Sequence, residues 1–206
     1  MGVAHFLLLR HGESVWNAEN RWQGQSDPPL SHLGEEQARE AAKRLAGSDF
    51  ARLVSSPLQR ARRTAEILAE VVGLDVDFEP ELQEIDTGIW TGLTRDEIRA
   101  GWPRELADWS EGRSESPPGG ESRFALAARA QAALGRLATA AQAGERLLVV
   151  THGALLRHLD RSLGLEPESV PNLGGRWYRL DAEGPIEAGE RVTLADPEDT
   201  TLSPNP

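Results

Sequence analysis

Two histidines, His11 and His152, each stand two positions beyond a short apolar run and are each followed by glycine. Apolar runs of this length predict buried strands. Parallel strands of one sheet end at the same edge, where open α/β sheets bind ligands, so we expect the two imidazoles to face one crevice. A neutral imidazole is a capable nucleophile. The guanidinium of Arg10, next to His11, suits a phosphate group in shape and charge. The pattern predicts phosphoryl chemistry on histidine.

Two alternatives compete with this interpretation of the histidines. A histidine at the end of a strand can simply cap a loop. A histidine pair can also bind a metal, but a catalytic zinc takes three protein ligands, often two of them at i and i+4 of a helix. His158 lies six residues after His152, which is the wrong helical phase. The chain has no cysteine, which excludes disulfides and thiolate metal sites. We therefore expect neither a metal nor a cofactor.

Arg60 is the second candidate for binding a phosphate. Ser56 and Pro57 are typical of a helix start, with Ser56 as N-cap and Pro57 at the first helical position. Arg60 would then lie in the first turn, where the helix dipole disfavours a cation. It is either a solvated arginine or a partner of the helix N-terminus in binding an anion. Charges about 4 Å apart gain roughly 4 kcal/mol each at an effective dielectric near 20, so Arg10 and Arg60 would supply most of a phosphate site.

Two carboxylates, Glu84 and Asp86, lie among apolar and aromatic residues in the segment 82–92. Such surroundings are expected to raise the pKa of a carboxyl group, as a general acid near neutral pH requires. Either group could protonate a leaving oxygen, and their spacing does not choose between them. The alternative is a surface loop in which neither carboxylate takes part in chemistry.

Strand and helix signals alternate along the chain, which predicts a three-layer α/β/α fold with a mostly parallel central sheet. We expect residues 1–195 to form one domain, with a small cap of helices and loops at 87–122, a polar loop at 17–29, and a flexible tail at 196–206. The predicted strands are 6–9, 53–54, 76–78, 147–150 and 177–180, and the predicted helices are 38–45, 56–72, 94–101, 122–143 and 155–163.

Composition narrows the classes of partner. The 206 residues carry a net charge of −11, which argues against nucleic acid and anionic membranes as partners. Lys43 is the only lysine among 22 basic residues, so the positions of single arginines decide where an anion binds. The chain shows no signal peptide and no apolar stretch long enough to cross a membrane, so we expect a cytoplasmic protein. The sequence leaves open whether the protein forms a homodimer.

Four segments together resemble the histidine phosphatase superfamily, which is also called phosphoglycerate mutase-like. They are Arg-His-Gly-Glu-Ser-x-x-Asn at 10–17, Ser-x-Leu-x-Arg-Ala-x-x-Thr-Ala at 56–65, Leu-x-Glu-x-x-x-Gly-x-Trp at 82–90 and Thr-His-Gly at 151–153. The resemblance covers residues 3–180. By that resemblance His11 is the nucleophile that becomes phosphohistidine, Glu84 rather than Asp86 is the proton donor, and no metal is needed. The residues that it assigns to the phosphoryl group are Arg10, Arg60 and His152, and those in the loop over the site are Asn17, Gln23 and Gly24.

The chain departs from the glycolytic mutases of this family after the acidic residue. Those enzymes have a segment resembling His-Tyr-Gly there, and they hold phosphoglycerate with lysine and paired arginines in the cap. This chain has Asp86-Thr87-Gly88, and its short cap contains no lysine. We therefore predict a phosphatase acting on a small phosphorylated metabolite, with a mutase as the alternative enzyme and a non-catalytic anion-binding module as the third. Four arginines of the cap could partly replace the missing lysine: Arg95, Arg99, Arg104 and Arg113. Its tryptophans either pack the cap or form a platform for the substrate: Trp90, Trp102 and Trp109.

Overall fold

Six strands form one sheet in the computed structural model, which describes residues 2–181 and 184–195. The order across the sheet is β3-β2-β4-β1-β5-β6. The first four of these run parallel, whereas β5 is antiparallel to β1 and β6 is antiparallel to β5. The predicted mostly parallel sheet is therefore confirmed. The strands are β1 (Val3–Arg10), β2 (Arg52–Ser55), β3 (Val76–Phe78), β4 (Arg146–Thr151), β5 (Gly174–Asp181) and β6 (Ile186–Thr193).

Helices cover both faces of the sheet and build the cap. Two short 3-10 turns, Pro80–Leu82 and Gly88–Trp90, connect β3 to the cap. The predicted capping box of Thr94 and Glu97 is present at the start of α4. The helices are α1 (Val15–Ala18), α2 (His32–Arg44), α3 (Gln59–Val72), α4 (Arg95–Gly101), α5 (Pro103–Ser110), α6 (Arg123–Ala140) and α7 (Gly153–Ser162).

The alternation of side chains along β1 separates two apolar clusters. Phe6 and Leu8 point to one face, where α6 and α7 cover them, and Leu7 and Leu9 point to the other, under α2 and α3. This is the period-2 geometry of a strand that is buried on both sides. The three-layer α/β/α architecture is confirmed.

The register of β1 against β4 brings the two histidines together. Arg10 pairs with Thr151 across the parallel ladder. The N–H of His11 then donates to the carbonyl oxygen of Thr151 at 3.0 Å. Because the strands run parallel and end level, His11 and His152 leave the sheet side by side at one edge.

The cap has an apolar cluster of its own. Trp22 and Trp90 meet edge to face with ring centroids 5.3 Å apart. Trp90 and Trp109 are buried in this cluster together with residues of α6 and of the first turn of α7, and Trp102 packs against it. The tryptophans of the cap are therefore packing residues and not an open substrate platform. The prediction that residues 1–195 form a single domain stays a prediction.

Two sequence predictions about the elements are wrong. The helix α3 begins at Gln59 with no side-chain cap, so Ser56 is not its N-cap and Pro57 is not its first residue. The last described strand is not the one at 177–180, because β6 follows it. This edge strand is largely exposed and has no apolar run, so periodicity gave no signal for it. The predicted tail at 196–206 lies outside the described residues. None of the helices in the described ranges is long and apolar enough to cross a bilayer.

Candidate active site

His11 lies at the end of β1 with its ring oriented by the backbone. Its Nδ1 is 2.6 Å from the carbonyl oxygen of Gly12, so Nδ1 carries the proton and donates it there. Its Nε2 accepts a hydrogen bond from Nε of Arg60 at 3.2 Å. Burial above all, and then Arg60 and Arg10, hold the pKa of His11 well below its ordinary value of 6.5. The imidazole is therefore neutral near neutral pH, and Nε2 carries the lone pair that a nucleophile needs.

His152 faces His11 across the crevice. The ring centroids lie 5.1 Å apart, and the ring planes are inclined by 63°. Nε2 of His152 is 2.8 Å from the hydroxyl oxygen of Ser56, whereas its buried Nδ1 has no hydrogen-bond partner in the described part of the chain. Burial, followed by the charge of Arg60, holds the pKa of His152 well below 6.5. A neutral ring with one unpartnered nitrogen is suited to contacting a phosphoryl oxygen.

Arg10 and Arg60 are enclosed cations whose hydrogen-bond acceptors, among the described residues, are all neutral. Nη1 of Arg10 donates to the carbonyl oxygen of Val170 at 2.9 Å. Arg60 donates to the carbonyl oxygens of Ser26 at 2.8 Å and Gly24 at 2.9 Å. Burial lowers the pKa of each arginine to about 10, so both stay charged at neutral pH. The interpretation of Arg60 as a solvated arginine is therefore wrong.

Glu84, rather than Asp86, lies beside His152. Its carboxylate accepts hydrogen bonds from the backbone N–H groups of Ala154 and Leu155, each at 3.1 Å, and from that of Ile85 at 3.0 Å. It therefore caps the N-terminus of α7, directly after His152. The carboxylate of Asp86 instead accepts from the N–H of Gly88 at 2.8 Å, inside the cap. The geometry distinguishes two carboxylates that sequence spacing did not; the role of Glu84 as proton donor stays a prediction.

The predicted loop residues brace the site from one side. The hydroxyl of Ser14 donates to Oε1 of Gln23 at 2.7 Å, and the N–H of Ser14 donates to Oδ1 of Asn17 at 3.1 Å. Gly24 has φ of 51°, and a Cβ there would come within 2.5 Å of Oγ1 of Thr87, so no larger residue fits. Gly24 reaches the site through its carbonyl oxygen on Arg60. Contact between substrate and Asn17, Gln23 or Gly24 stays a prediction.

Sequence reasoning missed two residues of the site. Asn172 donates from Nδ2 to the carbonyl oxygen of His11 at 2.9 Å. It comes just before β5, and because β5 is antiparallel to β1, its start lies at the edge where β1 ends. Arg157 is partly buried one turn into α7, where desolvation lowers its pKa to about 10 and the charge of Glu84 opposes that shift.

A metal site has no support in the geometry. No group of three or more His, Asp or Glu residues within the described ranges is arranged to hold a metal ion. His158 packs against the ring of Trp109 with centroids 6.0 Å apart, which separates its surroundings from those of His152.

Comparison with known proteins decides the family. The model of the histidine phosphatase superfamily (branch 1) matches residues 6–179. The chain belongs to this superfamily. A probable phosphoglycerate mutase GpmB of Salmonella choleraesuis (strain SC-B67) is 43% identical over 155 residues, which cover 72% of this chain and 69% of that protein.

Solved structures of other histidine phosphatase-like proteins share the fold. A mycobacterial glucosyl-3-phosphoglycerate phosphatase has a TM-score of 0.82 and 31% identity, and the match covers 94% of this chain and all of that one (100%). A structure of the same mycobacterial phosphatase in complex with inorganic phosphate has a TM-score of 0.77 and 32% identity, with 93% and 97% of the two chains covered. YhfR of Bacillus stearothermophilus has a TM-score of 0.82 and 29% identity, with 90% and 95% covered. Both phosphatases and mutases are therefore similar to this member of the superfamily.

Proposed function

We propose that this histidine phosphatase superfamily member is a metal-independent phosphomonoester hydrolase that acts on a small phosphorylated metabolite through a phosphohistidine intermediate. The observation that carries the proposal is the lone pair on Nε2 of a neutral His11, which accepts a hydrogen bond from Nε of Arg60. An arginine that already points at the nucleophile holds the place that a phosphoryl oxygen would take. The phosphate complex of the mycobacterial relative supports the same kind of ligand.

The mechanism follows from the positions of the polar groups. The phosphoryl oxygens bind Arg10 and Arg60, and the Nε–H of Arg60 moves from His11 to an oxygen of the substrate. Nε2 of His11 forms a bond to phosphorus while the phosphorus–oxygen bond of the ester breaks, and the leaving oxygen takes a proton from Glu84. Water then attacks phosphorus, Glu84 accepts its proton, and the nitrogen–phosphorus bond breaks to release phosphate and restore His11.

The ion pairs of two cap arginines, Arg99 and Arg113, favour a hydrolase over a mutase. A phosphoglycerate mutase must hold a carboxylate as well as a phosphate. Arg99 is already paired with Asp96 at 2.6 Å, and Arg113 is paired with Asp108 at 2.7 Å. These arginines are occupied, and the cap has no lysine to replace them. The 43% identical relative that is named a probable phosphoglycerate mutase makes mutase activity the second candidate.

The decisive experiment is an assay of released phosphate with a panel of phosphorylated sugars, glycerates and amino acids, with EDTA present. We expect turnover that EDTA leaves unchanged and that vanadate and inorganic phosphate inhibit. A brief incubation with labelled substrate and an alkaline quench should trap an acid-labile phosphoenzyme. His11→Ala should abolish both signals, because it removes the nucleophile. His158→Ala, which removes a buried histidine outside the site, is the matched control and should retain turnover.

Three results would contradict the proposal. Activity of His11→Ala above trace level would remove the covalent mechanism. Efficient interconversion of 2- and 3-phosphoglycerate with little free phosphate would identify a mutase instead. Loss of activity on chelation, restored by a divalent ion, would show that a metal takes part.

A further inference from the structure

The peptide group between His11 and Gly12 is held at both of its ends by side chains from distant parts of the chain. Its carbonyl oxygen, on His11, accepts from Nδ2 of Asn172 at 2.9 Å. Its N–H, on Gly12, donates to Oγ1 of Thr64 at 3.1 Å. Thr64 and Asn172 are both fully buried, at 0% exposure. One side chain comes from α3 and the other from the loop before β5, so hydrogen bonds hold this peptide group from two directions.

The direction of the Thr64 hydrogen bonds is defined. Its hydroxyl donates to the carbonyl oxygen of Arg60, one helical turn earlier, at 2.7 Å. The single hydroxyl proton is therefore used, and the oxygen is left as an acceptor for the N–H of Gly12. Thr64 thus ties the backbone that carries Arg60 to the backbone that carries His11.

These two hydrogen bonds influence the reactive nitrogen, Nε2 of His11, through one more contact. The carbonyl oxygen of Gly12 holds Nδ1 of His11 at 2.6 Å and so sets the direction of Nε2. Glycine is the residue with the freest backbone rotation. The peptide that carries this carbonyl is held on its far side by Gln37, whose Oε1 accepts from the N–H of Glu13 at 2.8 Å. Thr64 holds the near side of Gly12, so the glycine is fixed between two hydrogen bonds, and loss of the Thr64 contact frees one of them.

We propose that Thr64 and Asn172 are positioning residues that keep Nε2 of His11 aligned with the phosphoryl group bound at Arg60. The proposal rests on the proposed function, in which His11 is the nucleophile. Neither residue touches the substrate, so their contribution is to the rate of attack and not to binding. A misplacement of about 1 Å at a reacting atom costs on the order of 100-fold in rate.

The chain offers a matched pair of threonines for the test. Thr139 in α6 makes the same bond to the carbonyl four residues earlier, at 2.9 Å from Gly135, but it is exposed and remote from the histidines. Thr64→Val and Thr139→Val therefore remove the same hydroxyl from the same helical setting, with and without the contact to Gly12. Thr64→Ser keeps the hydroxyl and serves as the conservative rescue.

The assay uses p-nitrophenyl phosphate, vanadate inhibition and rapid quench of the phosphoenzyme in a single turnover. We expect Thr64→Val to lower kcat and the rate of phosphohistidine formation about 10- to 100-fold. KM and the vanadate inhibition constant should stay at their wild-type values, because Arg10 and Arg60 remain. Thr64→Ser should recover most of the rate, and Thr139→Val should match the wild type. Asn172→Ala is the second variant, with the same expected pattern.

Three results overturn the proposal: a wild-type kcat in Thr64→Val, a loss confined to KM and vanadate binding, or no recovery in Thr64→Ser. Failure of both Thr64→Val and Asn172→Ala to fold, monitored by near-UV circular dichroism, would mark the two residues as structural and also overturn it. A failure of the proposed function is separate, since it appears in the wild type as the absence of a trapped phosphohistidine.

Discussion

Arg10 and Arg60, at the edge of the sheet, and Arg99 and Arg113, in the cap, have different kinds of partner. Arg10 and Arg60 are buried, donate to carbonyl oxygens and an imidazole nitrogen, and form no ion pair among the described residues. Arg99 and Arg113 of the cap are exposed and pair with carboxylates. Neutral acceptors leave the charge of a guanidinium uncompensated, whereas a carboxylate cancels it. Among the described residues, the sheet edge therefore holds two cations without an ion-pair partner, whereas Arg99 and Arg113 of the cap are paired with carboxylates.

This difference explains how an acidic chain can bind an anion. Keeping a cation buried without a carboxylate partner is costly, as the lowered pKa values of Arg10 and Arg60 show. Among the described residues, Arg123 bears the same cost, because it is buried and donates to the carbonyl oxygens of Trp109 and Ser114. Next to the two histidines, two such cations lie in one site. In the proposed function, a phosphoryl group bound beside Arg10 and Arg60 would offset the cost there.

Among variants that keep the nucleophile, the largest effect is expected from Glu84→Gln, which changes the carboxylate whose charge acts on Arg10 and Arg60. The amide keeps the shape but has no acidic proton, so turnover should fall about 10²–10⁴-fold, the usual range for general acid–base catalysis. The measurement is kcat for a sugar phosphate and for p-nitrophenyl phosphate. The loss should be smaller for the latter, whose leaving group scarcely needs a proton. An equal loss with both substrates would move the acid role to Asp86 or another group.

A comparison of Arg60→Gln with Arg113→Gln addresses the two classes of arginine directly. A charge about 4 Å from a phosphate contributes roughly 4 kcal/mol at an effective dielectric near 20, so Arg60→Gln should lower kcat/KM by about 10²–10³-fold. Arg113→Gln removes a cation that is already paired with carboxylates and should leave kcat/KM unchanged. Comparable losses in the two variants would show that the cap also binds the substrate charge.

The buried histidines predict a pH dependence of stability. Burial lowers the pKa of His158 to about 3 and holds the pKa values of His11 and His152 well below 6.5. In the unfolded chain these groups take up protons near pH 6.5 while the folded protein does not. The free energy of unfolding is therefore greatest above pH 6.5 and falls as the pH drops toward the lowered values. Each histidine contributes a slope of up to about 1.4 kcal/mol per pH unit.

Substitution of His158, which lies in α7, distinguishes its contribution to this pH dependence from those of His11 and His152. His158→Leu removes one of the three histidines without touching the catalytic groups. Chemical denaturation between pH 7 and pH 5 should show a slope shallower by up to about 1.4 kcal/mol per pH unit. The activity near pH 7 should be unchanged. A slope identical to that of the wild type would show that His158 gains its proton in the folded protein as well.

Features with a local signal could be predicted from the sequence, and features set by distant contacts could not. His11 and His152 were found because an apolar run marks each strand end. Ser56 was misassigned because its hydroxyl contacts His152, which lies 96 residues away. Asn172 was missed because its place at the site depends on β5 running antiparallel to β1. No short sequence pattern indicates the direction of a strand within a sheet.

The hydrogen bonds from the first turn of α7 to Glu84 provide a spectroscopic signal for the charge on this carboxylate. The amide protons of Ala154 and Leu155 point directly at the carboxylate oxygens. Any change in the charge on that carboxylate must shift the resonance frequencies of these two nuclei more than those of their neighbours. Two backbone signals in a nitrogen–proton NMR spectrum would thus follow the state of the acid during a titration or a reaction, with no label attached to the site.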